Sequence, residues 1–163
     1  MNSILIDEFE RSWNFVHSMT MDFINVVPDL RWDFSPHPRY GNFSRQIRHL
    51  VRVQRTYIRS FLSREYNIQE EHYSCYSGNS SRLALTEALL ENNKNLKQLL
   101  SSLRLEDIAN FKVTLQPINI TLGFSEYCAM IIQHESIHHG QWCFYATMGE
   151  FDTPKSWKEN WNL

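Results

Sequence analysis

No apolar run in this 163-residue chain approaches the roughly 20 residues that span a bilayer, so a membrane protein is not expected. There is no basic excess either: 16 Lys and Arg against 18 Asp and Glu give a net charge of −2. That argues against a broad nucleic-acid surface. Cysteine is scarce, with Cys75, Cys128 and Cys143 odd in number and in no C-x-x-C pair. A disulfide framework is thereby excluded, and reduced thiols in a cytoplasm are expected. The first residues carry Asp7, Glu8 and Glu10 where a signal peptide would place its apolar stretch. Nothing therefore sends the chain toward secretion, and the sequons at Asn42, Asn79 and Asn119 carry little weight. With no internal repeat, low-complexity tract or composition break, residues 1–163 read as one domain around one core.

Helical patterning fills most of the chain. Residues 3–27 space Ile6, Phe9, Trp13, Val16, Phe23 and Val27 by threes and fours once Thr20 fills the step between Val16 and Phe23, with Ser3 as cap and Pro28 as stop. Residues 43–65 repeat Ile47, Leu50, Tyr57, Ile58 and Phe61, and residues 82–104 repeat Leu85, Leu89, Asn92, Leu96, Leu99 and Leu103 behind Ser80 or Ser81. A fourth pattern runs from Phe124 to Met148 and ends at Gly149. Four such stripes are buried together in an all-α four-helix bundle. The alternation around Pro117 in residues 111–122 predicts a small extended hairpin before the fourth helix. The long link between the second and third helices permits them to run parallel.

Arg45, Arg48, Arg52, Arg55 and Arg59 share one face of the second helix, opposite its apolar stripe. The stripe reads as the solvated back of an amphipathic helix. One such stripe on an acidic chain supplies too few phosphate contacts for substantial DNA affinity.

The chemistry concentrates in His134-Glu135-Ser136-Ile137-His138, followed by His139-Gly140-Gln141. Two imidazoles one helical turn apart can reach one metal ion. On a wheel with His134 at zero, His138, Gln141, Tyr145 and Tyr127 all fall within about 40°. That direction is read as the core-facing one, with Gln141, Tyr145 and Tyr127 beside the metal. His139 is expected to face solvent or a neighbouring subunit, and Glu135 to lie on the border. A third ligand has to come from elsewhere: His49 on the second helix is the first candidate, then His17, then His37 and His72. The run also matches the H-E-x-x-H signature of zinc proteases. That reading fails on the residues downstream, because a metzincin needs Gly at 141 and His at 144, where this chain has Gln141 and Phe144. Pro154 interrupts before any second helix could present Glu159, and the motif is preceded by helical patterns rather than a large sheet.

With His49 in the second helix, His134-x-x-x-His138 in the fourth and Gly140-Gln141 after it, the chain resembles the DinB/YfiT-like family. The resemblance extends to Pro38, Gly41 and Ser44 before the second helix and to the tail Gly149, Pro154 and Trp157. It implies an up-down-down-up four-helix bundle, often a homodimer, with a three-histidine divalent metal site. Carried over by position, the ligands are His49, His134 and His138. Imidazole donors favour Zn or Ni first, with Fe or Cu next. Three protein ligands with an open position are the pattern of a catalytic site. The family includes small-thiol S-transferases. The function expected is therefore metal activation of a small-molecule thiol for attack on an electrophilic substrate, without nucleic-acid or membrane partners. The alternative is a non-catalytic dimeric bundle whose metal site is structural, regulatory or vestigial.

Overall fold

The computed structural model describes residues 4–67 and 75–161. The Ser3 cap and His72 lie outside them. The described part is mostly helical with one small sheet. Helix α1 is Ile4–Val26, α2 is Phe43–Ser63, α3 is Arg82–Ser102 and α5 is Phe124–Gly149. Short helices α4 (Leu105–Ala109) and α6 (Lys155–Trp161) complete the helical set. Strand β1 (Glu65–Asn67) runs parallel to β2 (Val113–Gln116), which pairs antiparallel with β3 (Ile120–Leu122). The expected hairpin is this β2–β3 pair, with Leu115 opposite Ile120.

Local chemistry fixes the helix ends. The Asn42 side chain accepts from the Arg45 amide and the Ser81 hydroxyl from the Ala84 amide, each satisfying a first-turn donor of α2 or α3. The Gly123 amide donates to the Glu126 carboxylate at the start of α5. At the other end of α1, the Arg82 guanidinium donates to the Ile24 and Val27 carbonyls, pairs with Asp29 and lies over Trp32. A side chain of α3 thus terminates α1. Helix α5 runs through Gly149, as expected, but the left-handed cap residue is Glu150 at φ 56°.

The four long helices bury two apolar clusters at different heights. One holds Phe9, Trp13, Val53, Phe61, Leu96 and Tyr127; the other holds Phe23, Phe43, Leu50, Leu89, Trp142 and Trp157. Each helix passes from one cluster to the other. At the crossing they contribute buried polar residues: Thr20 from α1, Gln54 from α2, Asn92 from α3, and Glu135 and His139 from α5. A polar belt therefore divides the core. Around the ring α1 packs closely on α5 and α2 on α3, whereas α2 and α5 touch far less. Helix α6 closes one end, its Trp157 indole buried and donating to the Met19 carbonyl. Among the described residues no helix is long and apolar enough to cross a membrane.

The arginine stripe is not a solvated back. Arg45 and Arg59 are exposed, but the three between them turn onto the segment that leads into α3. Arg48 donates to Ser80, Arg52 to the Tyr76 carbonyl, and Arg55 to the Cys75 carbonyl, Asn92 and Glu91. Arg48 and Arg55 also lie over the Tyr76 ring. Backbone carbonyls of a segment crossing a helix need donors, and guanidinium groups supply several each.

Candidate metal centre

His49, His134 and His138 converge in the seam between α2 and α5. One ring nitrogen from each lies within 4.8 Å of the others, close enough for one ion to reach all three. The ring centroids stand 5.5 Å apart for His49–His134, 5.3 Å for His49–His138 and 4.8 Å for His134–His138. His49 is exposed, His134 half-buried and His138 buried, so the cluster opens from the core toward solvent.

The environment suits neutral imidazoles. Burial, reinforced by His134, His49 and His139, holds His138 down to about 2, so it keeps a lone pair free at any ordinary pH. Its Nδ1 is buried with no hydrogen-bond partner. An orphaned buried nitrogen is costly unless something else satisfies it, and a cation would do so. The walls are aromatic: Tyr57 meets His134 edge-on at 5.8 Å and Trp142 lies 6.0 Å from His138.

Other candidates fall outside this cluster. His17 is buried on α1, stacked on Trp13 at 5.5 Å, with neither nitrogen hydrogen-bonded. His37 is exposed in the connection before α2, its Nδ1 accepting from the Arg39 amide. Gln141 follows one turn after His138, with its side chain at the His138 ring. Tyr145 and Tyr127 do not offer their hydroxyls to the triad. The Tyr145 hydroxyl donates to the Tyr40 and Gly41 carbonyls, and the Tyr127 hydroxyl is directed at the Tyr57 carbonyl.

Two α5 residues sit differently from the sequence reading. His139 is 7% exposed rather than solvent-facing, packed on Trp142 and Trp157. Glu135 is 1% exposed rather than at a border. Thr20 donates to its carboxylate at 2.6 Å, Gln54 donates to both its oxygens at 3.3 Å, and the Thr20 hydroxyl also meets His139 Nε2 at 2.9 Å. The buried face of α5 is thus centred about 80° round from His134, near Glu135 and Trp142. His134 and His138 occupy its edge. The misreading came from centring the buried face on His134, which put Glu135 on its border and His139 outside it, when four hydrogen-bonding helices make room for both inside. Glu135 is consequently engaged by Thr20 and Gln54 and does not serve as the general base a zinc protease would require.

No cysteine joins the cluster. Burial pushes the Cys128 and Cys143 thiols up from their usual range, and Cys75 contacts the Thr56 hydroxyl. The family model described as DinB family matches residues 1–149 of the chain. No curated protein matches it at a significant level.

Proposed function

The chain belongs to the DinB family, and from that premise we propose that it is a metal-dependent enzyme of the small-thiol S-transferase kind. His49, His134 and His138 are its ligands for a divalent transition metal, Zn or Ni before Fe or Cu. One observation carries the reading: three imidazoles from two helices meet within 4.8 Å at an open seam, with one nitrogen buried and unsatisfied. A cation would satisfy that nitrogen, so the donor set fits the ion.

When bound, a divalent ion there supplies Lewis acidity that favours the thiolate form of a coordinated thiol near neutral pH. The chain supplies the rest. Exposed His49 marks the entrance, and buried His138 anchors the inner end. Tyr57 and Trp142 wall the ligands and limit water on the core side. Tyr127 and Tyr145 shape those walls through buried rings, while Gln141, whose side chain lies at the His138 ring, orients a ligand or substrate. The raised Cys128 and Cys143 thiols are poor nucleophiles, so the thiol is a small molecule brought in from solution. In this reading the long helices form an up-down-down-up bundle over a single domain, 1–163. The protein works as a cytoplasmic homodimer on a thiol and an electrophile, without nucleic-acid or membrane partners.

A non-catalytic dimeric bundle with a structural, regulatory or vestigial metal site is the second reading. It is favoured by the make-up of the cluster, which among the described residues gathers three histidines and no carboxylate or thiol as ligands. Metal-loaded protein offered small thiols with a chlorinated aromatic or an epoxide separates the two. The enzyme reading expects acceleration beyond the free ion, lost in His134→Ala and kept in Cys143→Ala. Binding without acceleration leaves the second reading.

A further inference from the structure

The polar belt has a direction. Arg55 can only donate, and its Nε donates to Asn92 Oδ1 at 3.0 Å. The Asn92 amide is thereby oriented, and its NH2 donates to the Val51 carbonyl at 2.9 Å and to Gln54 Oε1 at 3.2 Å. That in turn leaves the Gln54 NH2 as the end facing Glu135, where it spans both carboxylate oxygens. The Thr20 hydroxyl lies 2.6 Å from the same carboxylate, 2.9 Å from His139 Nε2 and 3.2 Å from the Val16 carbonyl. Each link fixes the next, from the Glu91–Arg55 pair at the surface to the middle of the bundle.

The chain of bonds ends on the two helices that carry the histidine cluster. Gln54 shares α2 with His49, and Glu135 directly follows His134 on α5. Those helices have the sparsest mutual packing of the ring's neighbours, so the Gln54–Glu135 link is a principal polar tie across their seam. Any rotation of α5 that carries Glu135 away from Gln54 carries His134 with it. We infer that the directed chain Arg55–Asn92–Gln54–Glu135 is a positioning device for the metal ligands, holding α2 and α5 at the spacing at which His49, His134 and His138 meet. This inference rests on the metal reading of the histidine cluster.

The informative substitution is remote. Asn92 lies on α3, which contributes no ligand, and Asn92→Asp is nearly isosteric. An aspartate still accepts from Arg55 but can donate neither to Gln54 nor to the Val51 carbonyl. The Gln54 amide then turns to donate to the new carboxylate and presents its oxygen to Glu135, so Glu135 loses the donor that spans its two oxygens. Titration of the full-length protein with Co(II) chloride, followed by visible absorption, should show affinity at least about tenfold weaker than wild type, in the range seen when groups that orient metal ligands are removed. Adding Glu135→Gln to Asn92→Asp gives the turned Gln54 a donor to accept from, and should restore affinity to within about threefold. A stability effect alone does not predict that rescue. Leu89→Ala, an apolar cavity on the same helix, should lower the melting temperature while leaving Co(II) affinity and spectrum in place. Wild-type affinity in Asn92→Asp, no recovery in the double variant, or an equal loss in Leu89→Ala overturns the inference. If Asn92→Asp does not fold, Gln54→Met breaks the same link with an apolar side chain of similar length, and wild-type affinity there overturns it equally. Should wild-type protein bind no Co(II), the metal reading itself fails, which is a different result from binding that ignores Asn92.

Discussion

His17 offers a quantitative test of how this core tolerates a buried imidazole. The ring stacks on Trp13, and both nitrogens are buried without hydrogen bonds. Burial first, and the nearby Lys97 ammonium second, lower its pKa from 6.5 to about 4. A base with a depressed folded pKa contributes stability fully above its unfolded pKa and loses it as pH falls from 6.5 toward 4, because only the unfolded chain takes up the proton. Between pH 7.5 and pH 5 that linkage removes about 2 kcal/mol. In His17→Leu the site no longer titrates, so this share of the acid loss disappears. The remaining buried histidines, His138 and His139, contribute equally to both proteins and cancel in the comparison. At pH 7.5 the variant should be as stable as wild type or up to about 2 kcal/mol more stable, since two unsatisfied nitrogens leave the core. Thermal melts at the two pH values read this directly. Wild type should lose about 4–8 °C more than His17→Leu on going to pH 5, at 2–4 °C per kcal/mol for a chain this size. Parallel pH dependence in the two proteins would refute the reasoning. So would loss of bound metal in His17→Leu, which would make His17 a ligand after all.

Arg82→Met, which removes the guanidinium that terminates α1 at Ile24 and Val27, should cost about 2–3 kcal/mol in urea unfolding, as charged hydrogen bonds to two carbonyls go. Glu150→Gly should raise stability by about 0.5–1 kcal/mol, because glycine relieves the left-handed backbone at φ 56°; an unchanged melting temperature would count against a strained cap. Alanine in place of His49, His134 or His138 should cut metal occupancy sharply by elemental analysis, with His37→Ala unaffected. Chelation should leave the helical circular dichroism in place, because both apolar clusters are independent of the triad. Metal at a hundredfold excess over its dissociation constant should raise stability by about 2.7 kcal/mol.

The four long helices were legible because their apolar spacing and end signals agree: Ser81 caps α3, Pro28 follows α1 and Gly149 closes α5. The hairpin was legible from alternation around Pro117. The β1–β2 parallel pair was not, since Glu65–Asn67 is too short to carry a period and pairs with residues far along the chain. Helices α4 and α6 are also too short to show one. The triad could be assembled only through spacing and resemblance together, because His49 is exposed and nothing in its own neighbourhood marks it as a ligand. The belt left no trace in the sequence reading. Thr20 filled a gap in the α1 stripe and Asn92 a step in the α3 stripe, while Glu135 read as a border residue and His139 as solvent-facing. Their burial depends on partners from other helices.

That concealment bears on where the histidine cluster sits. With Glu135 and Trp142 at the centre of the buried face of α5, His134 and His138 fall to its edge, at the seam with α2. A cluster at the centre would be sealed by four helices and closed to any molecule larger than water. At the edge, His138 keeps a desolvated anchoring nitrogen while His49 stays open to solvent. The same polar residues that divide the core therefore turn α5 so that its two histidines are half inside. Sparse packing between α2 and α5 leaves room for an incoming ligand, and the Gln54–Glu135 bridge keeps that room from becoming slack. An inner side walled by aromatic rings and an outer side open to solvent both follow from how one helix is rotated.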